Sequence, residues 1–428
     1  MTLKVGNIQI TDVIFGENSE IKEGTLVVNK EELLDYIGGD HRLKSMDIQI
    51  VKPGDSVRIV PVKDVVEPRV KVGSDANIFP GVLGKAETVG EGTTHVLKGV
   101  TAVTTGKIVG FQEGIVDMSG PGAEYTPFSK NINIVIDCTP NEGIKQHEHE
   151  EAVRYVGLKA GEYLGKLGEN EKVSEYVEYE TLDFISGYEK YKDLPRVAYV
   201  YMLQSQGLLH DTYLYGVDVK KMLPTIIKPT EVMDGAIISG NCVSACDKNT
   251  TYHHLNSPVI HDLYKRHGKD INFVGVIVTN ENVTLLDKVR SSNYTAKLVE
   301  MLKLDGAVIS EEGFGNPDTD LIMNCTKIEK KGVKTVLVTD EYAGRDGASQ
   351  SLADADKLAD AVVTGGNANE VITLPPMDKV IGYQEVADVI AGGFDGSLNK
   401  DGSITVELQA ITGATNELGF NKLSAKGL

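Results

Sequence analysis

The sequence predicts an α/β protein: an N-terminal β-rich domain followed by a three-layer, parallel-sheet α/β region. Three observations carry this. Up to about residue 130, short β-branched runs are punctuated by Gly and Asp. Near residue 131 the texture changes to longer apolar and helical segments. Beyond residue 270, short apolar runs alternate with helical stretches, the pattern of βαβ units on a parallel sheet.

Taken in order, Ile8-Gln9-Ile10, Gly24-Thr25-Leu26-Val27-Val28 and Val57-Arg58-Ile59-Val60-Pro61-Val62 read as strands, with a turn at Pro53-Gly54-Asp55. Lys30–Ile37 reads as a short helix. Residues 79–84 are turn-rich, and 90–95 read as a polar loop. Residues 131–137 form a buried strand. A helix follows over 146–167, with Val153, Val156, Ala160, Leu164 and Leu167 on one face. Strands are expected at Arg196–Leu203 and 236–239, then at 273–278, 306–309, 335–338 and 370–374. Helices over 284–302 and 348–363 separate members of the last group. Polar loops at 279–282, 310–316 and 339–342 close these strands, where open α/β sheets bind ligands.

Composition narrows the function. The chain has 428 residues, a length that suggests two or three domains. It carries 43 basic and 62 acidic residues, a net charge of −19. That charge disfavours nucleic acid, whose binding needs a basic footprint, and an anionic membrane surface. No apolar run approaches the roughly 18–20 residues of a membrane span. Residues 1–7 lack the apolar core of a secretory signal, and only four cysteines are present, so a cytoplasmic location with thiols is expected. Neither G-x-G-x-x-G nor G-x-x-x-x-G-K-[ST] occurs, which argues against a nucleotide cofactor.

The densest cluster of reactive types is Ser239-Gly240-Asn241-Cys242-Val243-Ser244-Ala245-Cys246-Asp247-Lys248-Asn249-Thr250-Thr251-Tyr252-His253-His254. Three chemistries compete for it. Cys242, Cys246, His253 and His254 are metal-ligand types, although C-x3-C-x6-H-H matches no zinc spacing and adjacent histidines rarely face one ion. A cysteine nucleophile with a histidine base is a second reading. The third is self-processing. Gly240 and Asn241 tolerate a tight turn, so Cys242 could attack the preceding carbonyl. Elimination and hydrolysis would then leave a pyruvoyl ketone, an electron sink like a pyridoxal aldehyde.

This run, continued through Leu255-Asn256, closely resembles the processing site of the α/β-subunit proprotein of component B of the clostridial glycine, sarcosine and betaine reductases. The resemblance spans the chain. It includes Phe79-Pro80-Gly81, Gly90-Glu91-Gly92-Thr93-Thr94-His95-Val96-Leu97 and Ser310-Glu311-Glu312-Gly313-Phe314-Gly315-Asn316-Pro317-Asp318. It implies cleavage between Asn241 and Cys242, conversion of Cys242 to a pyruvoyl group, and no metal or nucleotide cofactor. The chain then divides into a β-rich domain (1–130), an α/β segment ending at the cut (131–241) and an α/β domain (242–428). The resemblance further implies a hetero-oligomer with a selenocysteine-containing subunit. The small amine substrate would bind as a Schiff base, and its carboxymethyl group would pass to selenoprotein A, with component C acting downstream. A D-proline reductase-type pyruvoyl proprotein and an unprocessed zinc-binding scaffold are the alternatives.

Other residues follow from that chemistry. Proton transfer near neutral pH suits His253 or His254. Lys248 could hold a substrate carboxylate. Gly240 and Ser244 belong to the processing turn, and Cys246 assists it or is a core thiol. Glu311, Glu312 and Asn316, in a strand-end loop, are candidates for the substrate amine. His147-Glu148-His149-Glu150 looks metal-like, but helical residues i and i+2 point about 200° apart, so an acidic helix start fits better. Cys138 and Cys325 read as core thiols, and His95 as a loop residue.

Overall fold

The computed structural model describes residues 2–73, 77–109, 112–205, 212–240, 249–415 and 418. It is an α/β fold in which several sheets mix parallel and antiparallel pairs. One sheet has the order Glu175–Glu180, Thr2–Gln9, Gly92–Lys98, Arg69–Val72. A second has the order Gly114–Asp117, Val57–Val66, Val100–Gly106, Ile132–Pro140, Leu43–Val51, and Lys379–Gly382 adds to its Val57–Val66 strand. This sheet therefore continues across residue 130 and recruits a strand from near the end of the chain. Helix Gln146–Lys166 packs on it through Val153, Val156, Ala160 and Leu164, the stripe read from the sequence.

The third sheet has the order Thr225–Ile227, Asn272–Asn280, Arg196–Leu203, Gly306–Ser310, Lys334–Glu341, Val362–Asn367. The last five are mutually parallel, and Thr225–Ile227 is an antiparallel edge. In chain order the parallel strands run 2-1-3-4-5. The connections therefore change direction at Arg196–Leu203, and a crevice is expected at the carboxyl ends there. Strand alternation divides the two faces. Ala198, Val200 and Met202 pack under helices Leu285–Met301 and Asn316–Glu329, while Tyr199, Tyr201 and Leu203 face Ile237, Ile260 and Leu263. Both faces are covered, which is why the strand is apolar along its length.

Three local expectations are corrected. Residues 90–95 are not a loop: Gly92–Lys98 is a strand, because its buried Thr94 hydroxyl donates to Asp234 (2.6 Å) and is thereby satisfied. His95 in that strand bonds Gly168 O (2.9 Å) and Tyr176 Oη (3.2 Å). Residues 348–361 form no helix. Asp346, Asp354 and Asp356 instead accept from backbone N–H groups one or two residues on, a local bond that competes with helix formation. Val371–Leu374 is a strand, but it pairs antiparallel with Ile404–Glu407 outside the parallel sheet. Helix Asn316–Glu329 was hidden behind the polar loop that starts it. Cys138 and Cys325 are buried. No helix among the described residues is long and apolar enough to cross a membrane.

Strand Val57–Val66 is buried throughout, although it carries Arg58, Lys63 and Asp64. Arg58 forms a two-pronged bond with Asp117 (2.7 and 2.8 Å), and Lys63 pairs with Glu113. Removing one partner of a buried pair strands the other charge. Asp117→Ala is therefore expected to cost about 3–5 kcal/mol in urea unfolding; a loss under 1 kcal/mol would contradict it.

Candidate active site

Strand ends at the switch point converge on Glu312. Strand Arg196–Leu203 continues into Gln204, and strand Gly306–Ser310 into Glu311 and Glu312. Glu312 Oε2 accepts from Gln204 N (2.6 Å) and Thr212 Oγ1 (2.9 Å), and Oε1 accepts from Asn249 N (3.2 Å). The Glu312 N–H donates to Glu281 Oε1 (2.8 Å), just beyond strand Asn272–Asn280. A buried carboxylate is tolerable only with such a set of donors.

The short helix Thr251–Leu255 brings the imidazoles. It starts at Thr250, whose Oγ1 accepts from His253 N (3.2 Å). Successive helical residues point about 100° apart, so His253 and His254 diverge. His254 Nδ1 lies 2.8 Å from Tyr201 Oη, and its Nε2 lies 3.3 Å from Glu312 Oε1. Nδ1 is hydrogen-bonded to the tyrosine, whereas Nε2 lies near the carboxylate without a hydrogen-bond partner among the described residues. His253 turns instead to Thr250 Oγ1 (2.9 Å) and to the edge of Phe128. Burial, reinforced by the charge of His254, holds His253 down to a pKa of about 3, so it is neutral at physiological pH.

A second buried carboxylate ties the flanks of the reactive run together. Thr251 donates its N–H (2.9 Å) and hydroxyl (2.6 Å) to Asp64. Thr251 Oγ1 also accepts from Ser239 N (3.0 Å). The chain on either side of 240–249 is thus locked to one point on strand Val57–Val66. Gly240 is buried beside it, and Ser239 Oγ is buried with no hydrogen-bond partner among the described residues. Burial raises Asp64 to a pKa of about 6, against the opposing hydrogen bonds from Thr251.

Asn241, Cys242, Ser244, Cys246 and Lys248 lie outside the described residues. Of the others, His254 and Glu312 meet, with Gly240 beside the clamp. Glu311 is also buried but accepts from Thr339 Oγ1 on the next strand. Asn316 is exposed at a helix start, where its carbonyl accepts from Lys288 Nζ (2.9 Å). Asp64, Tyr201 and Thr212 were not anticipated, whereas Glu281 lies in a strand-end loop and Thr251 in the reactive run that the sequence had singled out. The signal for Asp64 was the presence of charged residues, Arg58 and the Lys63-Asp64 pair, inside a largely β-branched strand. No group of three or more His, Cys, Asp or Glu able to hold a metal occurs among the described residues.

The family model for glycine/sarcosine/betaine reductase component B subunits matches residues 1–426. The chain belongs to that family. It is 67% identical over its full length, and that of its relative, to glycine reductase complex component B subunits alpha and beta of Acetoanaerobium sticklandii. The corresponding protein of Peptoclostridium acidaminophilum is 65% identical, again over both full lengths. Sarcosine reductase complex component B subunit alpha of the same organism is 56% identical over both full lengths. No solved structure matches the chain. For this component B subunit, the buried cluster at the switch point is the place to look for reductase chemistry.

Two outcomes test the clamp. Thr251→Val removes the hydroxyl that joins Ser239 to Asp64, and should cost about 2–4 kcal/mol in urea unfolding, since bonds to a buried charge are lost; an unchanged midpoint refutes the clamp. Asp64 has a folded pKa raised above the ordinary carboxylate value, so the folded state holds its proton more tightly than the unfolded chain. The unmodified protein should therefore lose stability relative to Asp64→Asn as pH rises from about 4 to 6. Parallel thermal-unfolding curves across that range would show the opposite.

Proposed function

We propose that this chain is a self-processing precursor of the glycine reductase type. It is cut between Asn241 and Cys242, and Cys242 becomes a pyruvoyl group. The observation that carries this reading is the clamp: Ser239 and Thr251, on either side of the reactive run, are tied to each other and to buried Asp64. Holding both flanks in one buried place suits a peptide bond that must be strained and then attacked by its own side chain.

The surroundings also fit a protein-bound ketone. Ser239 Oγ, two residues before the proposed cut, is a buried donor with no hydrogen-bond partner among the described residues, and the residues flanking the run are buried. Such a ketone would supply an electrophilic carbonyl for the substrate amine and an electron sink for its C–N bond. The chain's own residues would manage protons and position. His254, oriented by Tyr201 and facing Glu312, is placed to exchange a proton with the substrate. His253, neutral and turned toward Phe128, is structural support for the helix.

Glycine is the proposed substrate, because similarity is higher to the two glycine-reductase relatives (67% and 65%) than to the sarcosine-reductase one (56%). In this reading the processed chain acts in the cytoplasm within a hetero-oligomer. A selenocysteine-containing subunit displaces the nitrogen, and the carboxymethyl group passes to selenoprotein A.

Denaturing electrophoresis with mass spectrometry should show fragments of 241 and 187 residues, and Cys242→Ala should give only the intact chain. A single full-length species from the unmodified sequence overturns the proposal. The fragments should also co-purify without denaturant. Strand Arg196–Leu203 lies before the cut, while both its neighbours, Asn272–Asn280 and Gly306–Ser310, lie after it.

A further inference from the structure

Six lysines and arginines are buried among the described residues. Five sit beside a carboxylate: Arg58 with Asp117, Lys63 with Glu113, Arg69 with Glu67, Lys71 with Asp234 and Lys288 with Asp320. Arg154, 6% exposed on helix Gln146–Lys166, is the exception. Among the described residues no carboxylate lies within ion-pair distance of its guanidinium, and its Nη1 has no hydrogen-bond partner. Glu150, one turn earlier, lies 3.7 Å from His147 instead. The guanidinium rests on the face of Tyr213, 4.6 Å from the ring centre. A buried charge with no carboxylate beside it among the described residues is costly, and cation–π contact does not replace an anion.

The position of Arg154 says which anion. Tyr213 pairs across a short ladder with Ile238, which leads directly into Ser239 and Gly240. Its neighbour Thr212 donates to Glu312 (2.9 Å). Leu158, one turn along the helix from Arg154, shares a core with Ile238 and Leu255. Arg154 thus stacks on a residue whose chain neighbour, Thr212, bonds Glu312, and its helix shares a core with the segments on either side of the reactive run.

We propose that Arg154 is the anchor for the substrate's carboxylate. This rests on the amine-reductase reading above. A guanidinium offers a planar fork that matches a carboxylate with two parallel bonds. Glycine, sarcosine and betaine share that carboxylate and differ only at nitrogen. One fixed anchor would therefore serve the acid end of any of them and leave discrimination to the groups around the amine. Lys248, read from the sequence as a carboxylate ligand, is not needed for this role.

The test compares the unmodified reconstituted reductase with complexes carrying Arg154→Gln or Arg154→Lys. Glycine is the substrate, and glycinamide, which keeps the amine but has no carboxylate, is a competitive inhibitor. Arg154→Gln should raise the KM for glycine tenfold or more, change kcat less, and leave the inhibition constant of glycinamide within twofold. Arg154→Lys, which keeps the charge without the fork, should raise the KM at least threefold, and it carries the test alone if the Gln variant does not fold. An unchanged KM, or equal losses for glycine and glycinamide, overturns the proposal, since a purely structural arginine would weaken both alike. The fragment pattern of each preparation is read alongside. Failure of the unmodified chain to be cleaved counts against the pyruvoyl reading, whereas normal cleavage with an unchanged KM in the variants counts against Arg154 alone.

Discussion

The structure turns on a carboxylate inside a sheet. Asp64 lies in a strand that is buried along its whole length, yet it accepts two hydrogen bonds from Thr251, and Thr251 in turn accepts one from Ser239. Desolvation works against this group and raises its pKa. Its retention makes sense only if the position it enforces matters. That position joins the N-terminal sheet, the end of the strand that leads into the reactive run, and the start of the helix that follows it. The same strand reaches further still, because Arg58 also donates to Pro375 O (2.9 Å) and Lys379–Gly382 adds to its edge.

This interlocking bears on a chain proposed to be cut in two. The pieces on either side of residue 241 carry net charges of −11 and −8, so bulk charge would drive them apart. They are held instead by shared sheets: the central parallel strand comes from one piece and its neighbours from the other. Such a core is built from both pieces together, so the proposed cleavage would follow folding. The buried polar cluster forms where the parallel connections change direction. There three strand ends bring Gln204, Glu281 and Glu312 together, and a single helical turn adds His254.

Much of the fold was legible in the sequence, and the failures have local causes. Helix Lys30–Ile37 and strand Arg196–Leu203 were read to the residue, since each has unambiguous periodicity and clear flanks. The stripe on helix Gln146–Lys166 was also read correctly. Residues 348–363 misled because apolar spacing suggested a helix while aspartates offered the backbone local bonds instead. Gly92–Lys98 misled in the opposite sense. Its threonines looked like a loop until Asp234, from far along the chain, satisfied one of them.

By itself the sequence determined the family, the reactive run and the elements around it, because these depend on residue order and short-range periodicity. It also put His254 and Glu312 on the list of candidates. Only the tertiary structure decided that His254 meets Glu312 while His253 turns to Phe128, and that Asp64 clamps the run from a strand nearly two hundred residues earlier. Only it showed that Arg154 is the one buried cation among the described residues without a carboxylate. Pairing between distant charges is set by how sheets and helices pack, and nothing in the local spacing of a linear chain records it.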